Sequence, residues 1–287
     1  MNVVTIGSVS GVHLEHVRAA AQAGKHVICE KPLEVTTDRV DEMIRLCEEE
    51  GVTLSGIFPR RFNDSTSIFK EAIISGRLGK VVLCDTSIKW WRTQEYYDSG
   101  AWRGTWELDG GGALMNQSIH TVDLMLHLMG KVKTLWASGG LEAHEGIEVE
   151  DVAVAMLEFD SGARGVIQAS TACYSNTGLP ASIHICGDQG SIMMVDDKFS
   201  LWDLKTSLPE DESMLAKHGL MKESAGAGAA DPKAIDFQWH QRNFEDALLS
   251  IEKGVRPSVD GDEGRKAVEL ITAIYQSIRE GGSKITL

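Results

Sequence analysis

Ala23-Gly24-Lys25-His26-Val27-Ile28-Cys29-Glu30-Lys31-Pro32-Leu33 sets a short apolar run between a glycine and a lysine that precedes a proline. The run reads as a buried strand, so Lys31 stands where that strand ends. In open parallel sheets the carboxyl ends of the strands form the crevice that receives ligands, and Pro32 biases Lys31 away from the helical region. Lys31 is therefore a candidate for chemistry, against the plainer reading of a surface lysine at a strand-to-loop turn.

Working outward, Val3 to Ile6 reads as a strand and His13 to Ala23 as a helix. Downstream, a helix is expected from Asp38 to Glu50, capped by Thr36 or Thr37, with Val40, Met43, Ile44 and Cys47 on one face and Gly51 as its stop. Val52 to Phe58 follows as a further strand. Strand, helix, strand, helix, strand with short connections predicts a parallel sheet with right-handed crossovers.

After a helix near Ser65 to Ser75 the pattern changes, and the chain is expected to divide near residue 60, into 1–60 and 61–287. Strands are predicted near Val81 to Lys89, Val132 to Ser138, Asp151 to Phe159, Ala163 to Thr171, Ser182 to Cys186, Ser191 to Val195 and Phe199 to Leu201. Strand following strand through turns such as Asp160-Ser161-Gly162 and Gly187-Asp188-Gln189-Gly190 predicts a large, mostly antiparallel sheet. Leu204 to Lys233 reads as a long surface loop, and amphipathic helices are expected over Ala234 to Glu252 and Asp262 to Glu280, covering the sheet. The fold class is α/β, a parallel domain followed by an α+β domain.

Composition narrows the function. Of 287 residues, 28 are Lys or Arg and 42 Asp or Glu, a formal charge of -14 that disfavours nucleic acid and acidic membrane surfaces as partners. The 5 cysteines are scattered and form no C-x-x-C pair, which fits a reducing cytoplasm better than a disulfide framework. No signal-peptide pattern and no 18-residue apolar run is present, so no export and no membrane span are expected.

The second informative stretch runs from Asp109 to Gly130, DGGGALMNQSIHTVDLMLHLMG. At about 100 degrees per residue, Asn116, His120, Asp123 and His127 fall in a stripe of about 60 degrees on an otherwise apolar helix. A solvated face would carry Lys and Glu, so the stripe is read as facing partners or a cavity. His120 is taken as functional; His127, one turn further from the glycines, as a satisfied core histidine. The three glycines leave room for close ligand approach and offer backbone N–H groups to an anionic group.

Between Trp90 and Gly112 an aromatic loop carries Trp90, Trp91, Tyr96, Tyr97, Trp102 and Trp106 interleaved with Arg92 and Arg103. It suggests a platform for a sugar, with Arg92, Tyr96, Trp102 and Arg103 as substrate contacts beside Asn116 and His120, or alternatively a satellite core. His120, Asp123 and His127 share a face and His13 and His16 form H-x-x-H, but H-E-x-x-H is absent and no metal is expected. Gly226 to Asp231 mimics part of a phosphate loop without a strand before it.

Together, Glu30-Lys31-Pro32, His120 after the triple glycine, and the change of architecture resemble the Gfo/Idh/MocA family of NAD(P)-dependent sugar and cyclitol dehydrogenases. Ser10-Gly11-Val12-His13, Ala23 to Val27, Arg61-Phe62, Gly76 to Gly79, Gly110 to Asp123 and Gly187 to Ser191 carry the resemblance over nearly the whole chain. It implies a Rossmann domain, here partial, then a substrate domain whose open sheet often forms the oligomer interface. It implies Lys31 and His120 as the catalytic pair and NAD or NADP as cofactor. Ser8, Ser10, His13, Glu30 and Lys31 are implied to line the nicotinamide side.

Many members carry an aspartate where Asn116 stands; an amide does not titrate, so Asn116 is expected to orient rather than act as a base. The family's G-x-G-x-x-G and first strand have no counterpart, so the sequence is expected to be a shortened reading of a longer protein with an unpaired sheet edge. The implied activity is oxidation of a secondary alcohol on a sugar, cyclitol or nucleotide sugar. The alternatives are a sugar-binding or regulatory homologue that has lost its dinucleotide, and a metal-dependent lyase or hydrolase.

Overall fold

The computed structural model describes residues 2–220 and 237–287. Strands β1 (Val3–Ile6), β2 (His26–Cys29) and β3 (Leu54–Gly56) form a parallel sheet in the order β1-β2-β3. Two helices make the crossovers, α1 (His13–Gln22) and α2 (Thr37–Glu49). Thr36 caps α2 by accepting from the Arg39 amide, and Val40, Met43, Leu46 and Cys47 bury one face of it. After His26 the central strand β2 is apolar and buried, because Val27 to Cys29 are covered on both faces. The predicted Val52 to Phe58 strand is shorter than expected. Past Gly56 only the Ile57 amide still reaches β2, at Cys29 O, while the Gly56 amide donates to Val259 O and the Phe58 amide to Asn243 Oδ1.

The second sheet follows α3 (Asp64–Ile74). Its strands are β4 (Val81–Lys89), β5 (Val132–Gly140), β6 (Val152–Phe159), β7 (Arg164–Ser170), β8 (Ser182–Gly187), β9 (Gly190–Val195), β10 (Lys198–Leu204) and β11 (Ile285–Thr286). They lie in the order β10-β9-β8-β4-β7-β6-β5-β11, and only the β4–β7 pair is parallel. Strand alternation sets the faces. In β6, Ala153, Ala155, Leu157 and Phe159 point into the core, whereas Val154 and Met156 are exposed on the open face.

Two short helices precede the later elements: α4 (Gln94–Asp98) and α5 (Ile119–Met129), the latter led in by a wider π turn over Ala113–Ser118. The stretch expected to be loop after Leu204 contains α6 (Glu210–His218). Three acidic residues in its first turn suit the helix dipole, and Arg77 clamps Asp211 at 2.9 and 2.7 Å. The rest of that loop, with Gly226 to Asp231 and the predicted helix start at Ala234, lies outside the described residues.

The chain closes with α7 (Phe237–Lys253) and α8 (Gly261–Arg279), the second capped by Asp260, which accepts from the Glu263 amide at 2.9 Å. α8 packs on α2 and β3 on one side and on α5 and β5 on the other, so it ties the two sheets together. The seam it braces is where the carboxyl end of β2 meets the turn before α5.

Candidate active site

Lys31 leaves the end of β2 through a cis bond to Pro32. The loop that carries it is fastened from behind. His13 is buried at the start of α1; its Nδ1 lies 3.0 and 3.1 Å from the carbonyls of Pro32 and Leu33, and its Nε2 3.1 Å from that of Ser8. Glu34, fully buried, accepts from the amides of Leu14 and Val35 and from Arg39. His13 is thus a support that joins the loops after β1 and β2, and does not line the cavity as its placement on the nicotinamide side implied. Ser8 is exposed and bonded to His16 Nδ1 at 2.9 Å, and Ser10 opens a short 3-10 turn; neither lines the cavity either. Glu30 and Lys31 do.

Opposite Lys31 stands the π turn. The amides at its start are not offered to a ligand as the sequence suggested. Buried Glu150 accepts from Gly112 N at 3.0 Å and Leu114 N at 2.8 Å, and Tyr275 Oη accepts from Met115 N at 3.2 Å while donating to Glu150 at 3.0 Å. The glycines are small for these neighbours: a Cβ on Gly111 would lie 2.0 Å from Tyr275 Oη, and one on Gly112 1.9 Å from Glu150 O. Burial pushes the Glu150 carboxyl up to about 7, against the hydrogen bonds that favour its anion.

With its far side closed, the turn presents Asn116 and Gln117, and the start of α5 presents His120, to a cavity of about 340 Å³ that also takes in Lys31, Tyr96 and Arg103. Lys31 Nζ donates to Asn116 O at 2.9 Å. Asn116 Nδ2 donates to buried Asp109 Oδ1, and Asp109 Oδ2 accepts from Gly104 N at 2.9 Å. Gln117 Nε2 donates to Asn116 Oδ1 at 2.6 Å and to Tyr96 Oη at 2.8 Å. His120 packs edge-on to Phe58, and its Nδ1 is buried without a hydrogen-bond partner among the described residues. A polar atom in that condition needs a ligand or water to complete it.

Burial lowers Lys31 below the usual lysine range, partly offset by Glu30 and Asp109. Burial, with the charges of Lys31, Arg60 and His240, holds His120 well below the ordinary histidine value, so its imidazole is neutral. Asp109 is raised, again by burial first.

The structure brings together Glu30, Lys31, Arg92, Tyr96, Arg103, Asn116 and His120. It leaves out Trp102, whose ring instead lies 4.4 Å under the Arg103 guanidinium. Asp123 and His127 are also elsewhere. Arg61 donates to Asp123 at 2.8 and 2.6 Å and to Glu263 at 2.8 Å. Because a π turn precedes α5, the regular spacing that aligned Asn116 with that pair does not hold. Among the described residues no three His, Cys, Asp or Glu side chains stand close enough to hold a metal ion. Sequence reasoning missed Arg60 and His240, which line the cavity from the turn after β3 and from α7. No local pattern marks either one.

Residues 1–58 match the family described as the oxidoreductase family, NAD-binding Rossmann fold, and residues 68–193 match the GFO/IDH/MocA C-terminal domain. The chain belongs to the Gfo/Idh/MocA family of oxidoreductases.

Among solved Gfo/Idh/MocA structures, it is similar to the WlbA dehydrogenase from Bordetella pertussis in complex with NADH and UDP-GlcNAcA. The two are 32% identical with a TM-score of 0.86, over 100% of this chain and 79% of that one. It is 29% identical to myo-inositol 2-dehydrogenase of Thermotoga maritima, over 98% of this chain and 78% of that protein. It is 26% identical to 2,7-anhydro-N-acetylneuraminate hydratase of Mediterraneibacter gnavus, over 96% and 78%. The parallel β1–β3 sheet is the part that corresponds to the family's nucleotide domain.

Proposed function

We propose that the cavity between β2 and the π turn oxidises a secondary alcohol of a sugar, cyclitol or nucleotide sugar, with Lys31 and His120 as the catalytic pair. The observation that carries this reading is the facing of a half-buried lysine and a neutral histidine whose Nδ1 lacks a partner among the described residues. The orphaned nitrogen and the open end of β2 fit a nicotinamide ring and an alcohol, with Glu30 and Lys31 on the ring's side. When bound, NAD or NADP supplies the hydride acceptor.

The chain's own residues supply the rest. His120 is kept unprotonated, the state a general base must start from, and takes the hydroxyl proton. Lys31 donates to the same oxygen and stabilises the developing alkoxide. Asn116 fixes Lys31 through its carbonyl, while its amide is held by Asp109. Tyr96, Arg92 and Arg103 form the substrate wall.

We read 1–60 as the dinucleotide portion and 61–287 as the substrate and oligomerisation portion. Exposed Val82, Leu83, Val154 and Met156 on the open sheet support a homo-oligomer through that face, and unpaired thiols fit a reducing cytoplasm.

A panel of sugars and cyclitols, incubated with NAD+ and NADP+ and followed by the absorbance of the reduced nicotinamide, tests the activity. Turnover of at least one polyol is expected. Sugar binding without cofactor binding or turnover would instead identify a non-catalytic homologue.

A further inference from the structure

One titratable group in the cavity has no part in the chemistry proposed above. His240 lines the cavity from α7 and is half-buried, which leaves part of the residue open to solvent. The helix is fastened where this residue enters. One turn on, Asn243 is fully buried; its Oδ1 accepts from the Phe58 amide at 2.8 Å and its Nδ2 donates to Gly56 O at 3.2 Å. Arg242 donates to Phe62 O at 3.0 Å and to Asp64 at 2.7 Å. These bonds tie α7 to the chain just after β3, which also carries Phe58, the ring against which His120 packs. Residues three and four apart share a helix face, so the clamp at Asn243 also sets His240.

Oxidation of an alcohol releases a proton as well as a hydride. The carbon gives up hydride, with both electrons, to the nicotinamide, and the oxygen gives its proton to His120. That proton has to leave again, because burial and the charges of Lys31, Arg60 and His240 all disfavour an imidazolium at position 120. The Nδ1 side offers no exit, being buried and without a hydrogen-bond partner among the described residues. The exit therefore leads through the cavity.

Facing His240 there are Glu30 and Lys31 from the end of β2, Arg60 from the turn after β3, Arg92 and Arg103 from the aromatic loop, and His120 from α5. Lys31 is committed to the developing alkoxide, and guanidinium groups only donate. Glu30 accepts from the Lys31 amide at 3.1 Å. A carboxylate holds a proton poorly near neutrality, whereas an imidazole both takes and releases one there.

We propose that His240 relays the proton of the reaction, receiving from His120 across the cavity the proton taken from the alcohol and releasing it to solvent. Once on His240, the positive charge opposes return of the proton to His120. The inference rests on the proposed dehydrogenase function and deepens it. His240 acts through His120 and touches neither reacting atom.

Oxidation of myo-inositol, D-glucose and D-xylose with NAD+ and NADP+ is measured for the parent, His240→Gln and His240→Asn, with and without concentrated imidazole in a dilute buffer. Without imidazole both variants should lose about tenfold in kcat while the KM for the polyol stays within about twofold. Imidazole, a mobile proton carrier, should restore most of the rate, which it would not do for a histidine that only packs. In the ligand-free chain, the NMR titration of His120 should move to higher pH in His240→Gln, because a neighbouring positive charge is removed.

Unchanged kcat in both variants, a loss that imidazole does not restore, or an unmoved His120 titration would overturn the relay and leave the dehydrogenase reading standing. Absence of turnover by the parent with every polyol overturns that reading and the relay with it. The two failures are told apart by the protein in which they show.

Discussion

Asn116, Gln117 and His120 lie on the same length of helical backbone as Asp123 and His127, yet the two groups have different surroundings. Asp123 is saturated: Arg61 grips both its oxygens and is itself held by Glu263. One turn earlier, His120 keeps a buried nitrogen that has no partner among the described residues, beside a lysine that donates to a backbone carbonyl. Both groups look alike as polar positions on an apolar helix. The distinction is whether neighbouring side chains exhaust their hydrogen-bonding capacity, and those neighbours come from distant parts of the chain.

The largest kinetic effect is expected at His120. His120→Asn should lower turnover by about 10²–10⁴-fold while the unfolding midpoint stays near that of the parent. A parent-like rate in steady-state kinetics would place the catalytic base elsewhere.

The opposite pattern is expected one turn on. Asp123→Asn leaves buried Arg61 with Glu263 alone, so denaturant unfolding should show a loss of about 3 kcal/mol, with kcat/KM within about twofold where the variant is folded. A large kinetic loss at unchanged stability would move Asp123 into the site.

The smallest effect concerns the buried anchor of the π turn. Glu150 is raised in the folded state from 4.5 to about 7, so folding favours its protonated form. The resulting stability is present in full below pH 4.5 and is lost as the pH rises through about 7. Glu150→Gln should reduce the difference in stability between those two pH values by about 2.5 kcal/mol, as read from unfolding curves at each. An undiminished difference would assign the pH dependence to other groups.

Much of this arrangement was legible in the sequence because it is local. Alternation placed β4 at Val81–Lys89, the caps placed α2, and the apolar run ending in Lys31 placed the site at a strand end. What escaped is non-local. Glu150 closes the amides that the triple glycine exposes, and its partner Tyr275 lies 125 residues further along the chain, beyond any periodicity. His240 and Arg60 enter the cavity through tertiary packing alone. The π turn changes the angular spacing on which the polar stripe was counted, which is why Asn116 and Asp123 part company. Arg77 fixes α6 within a stretch whose composition reads as loop.

Lys31 is proposed to act in chemistry and not merely to hold the loop after β2. Lys31→Met, assayed for turnover and for NADH binding by titration on the same preparation, tests it most directly. Turnover is expected to fall below detection while NADH binds with nearly the parent affinity; retained turnover with bound cofactor would remove Lys31 from the chemistry.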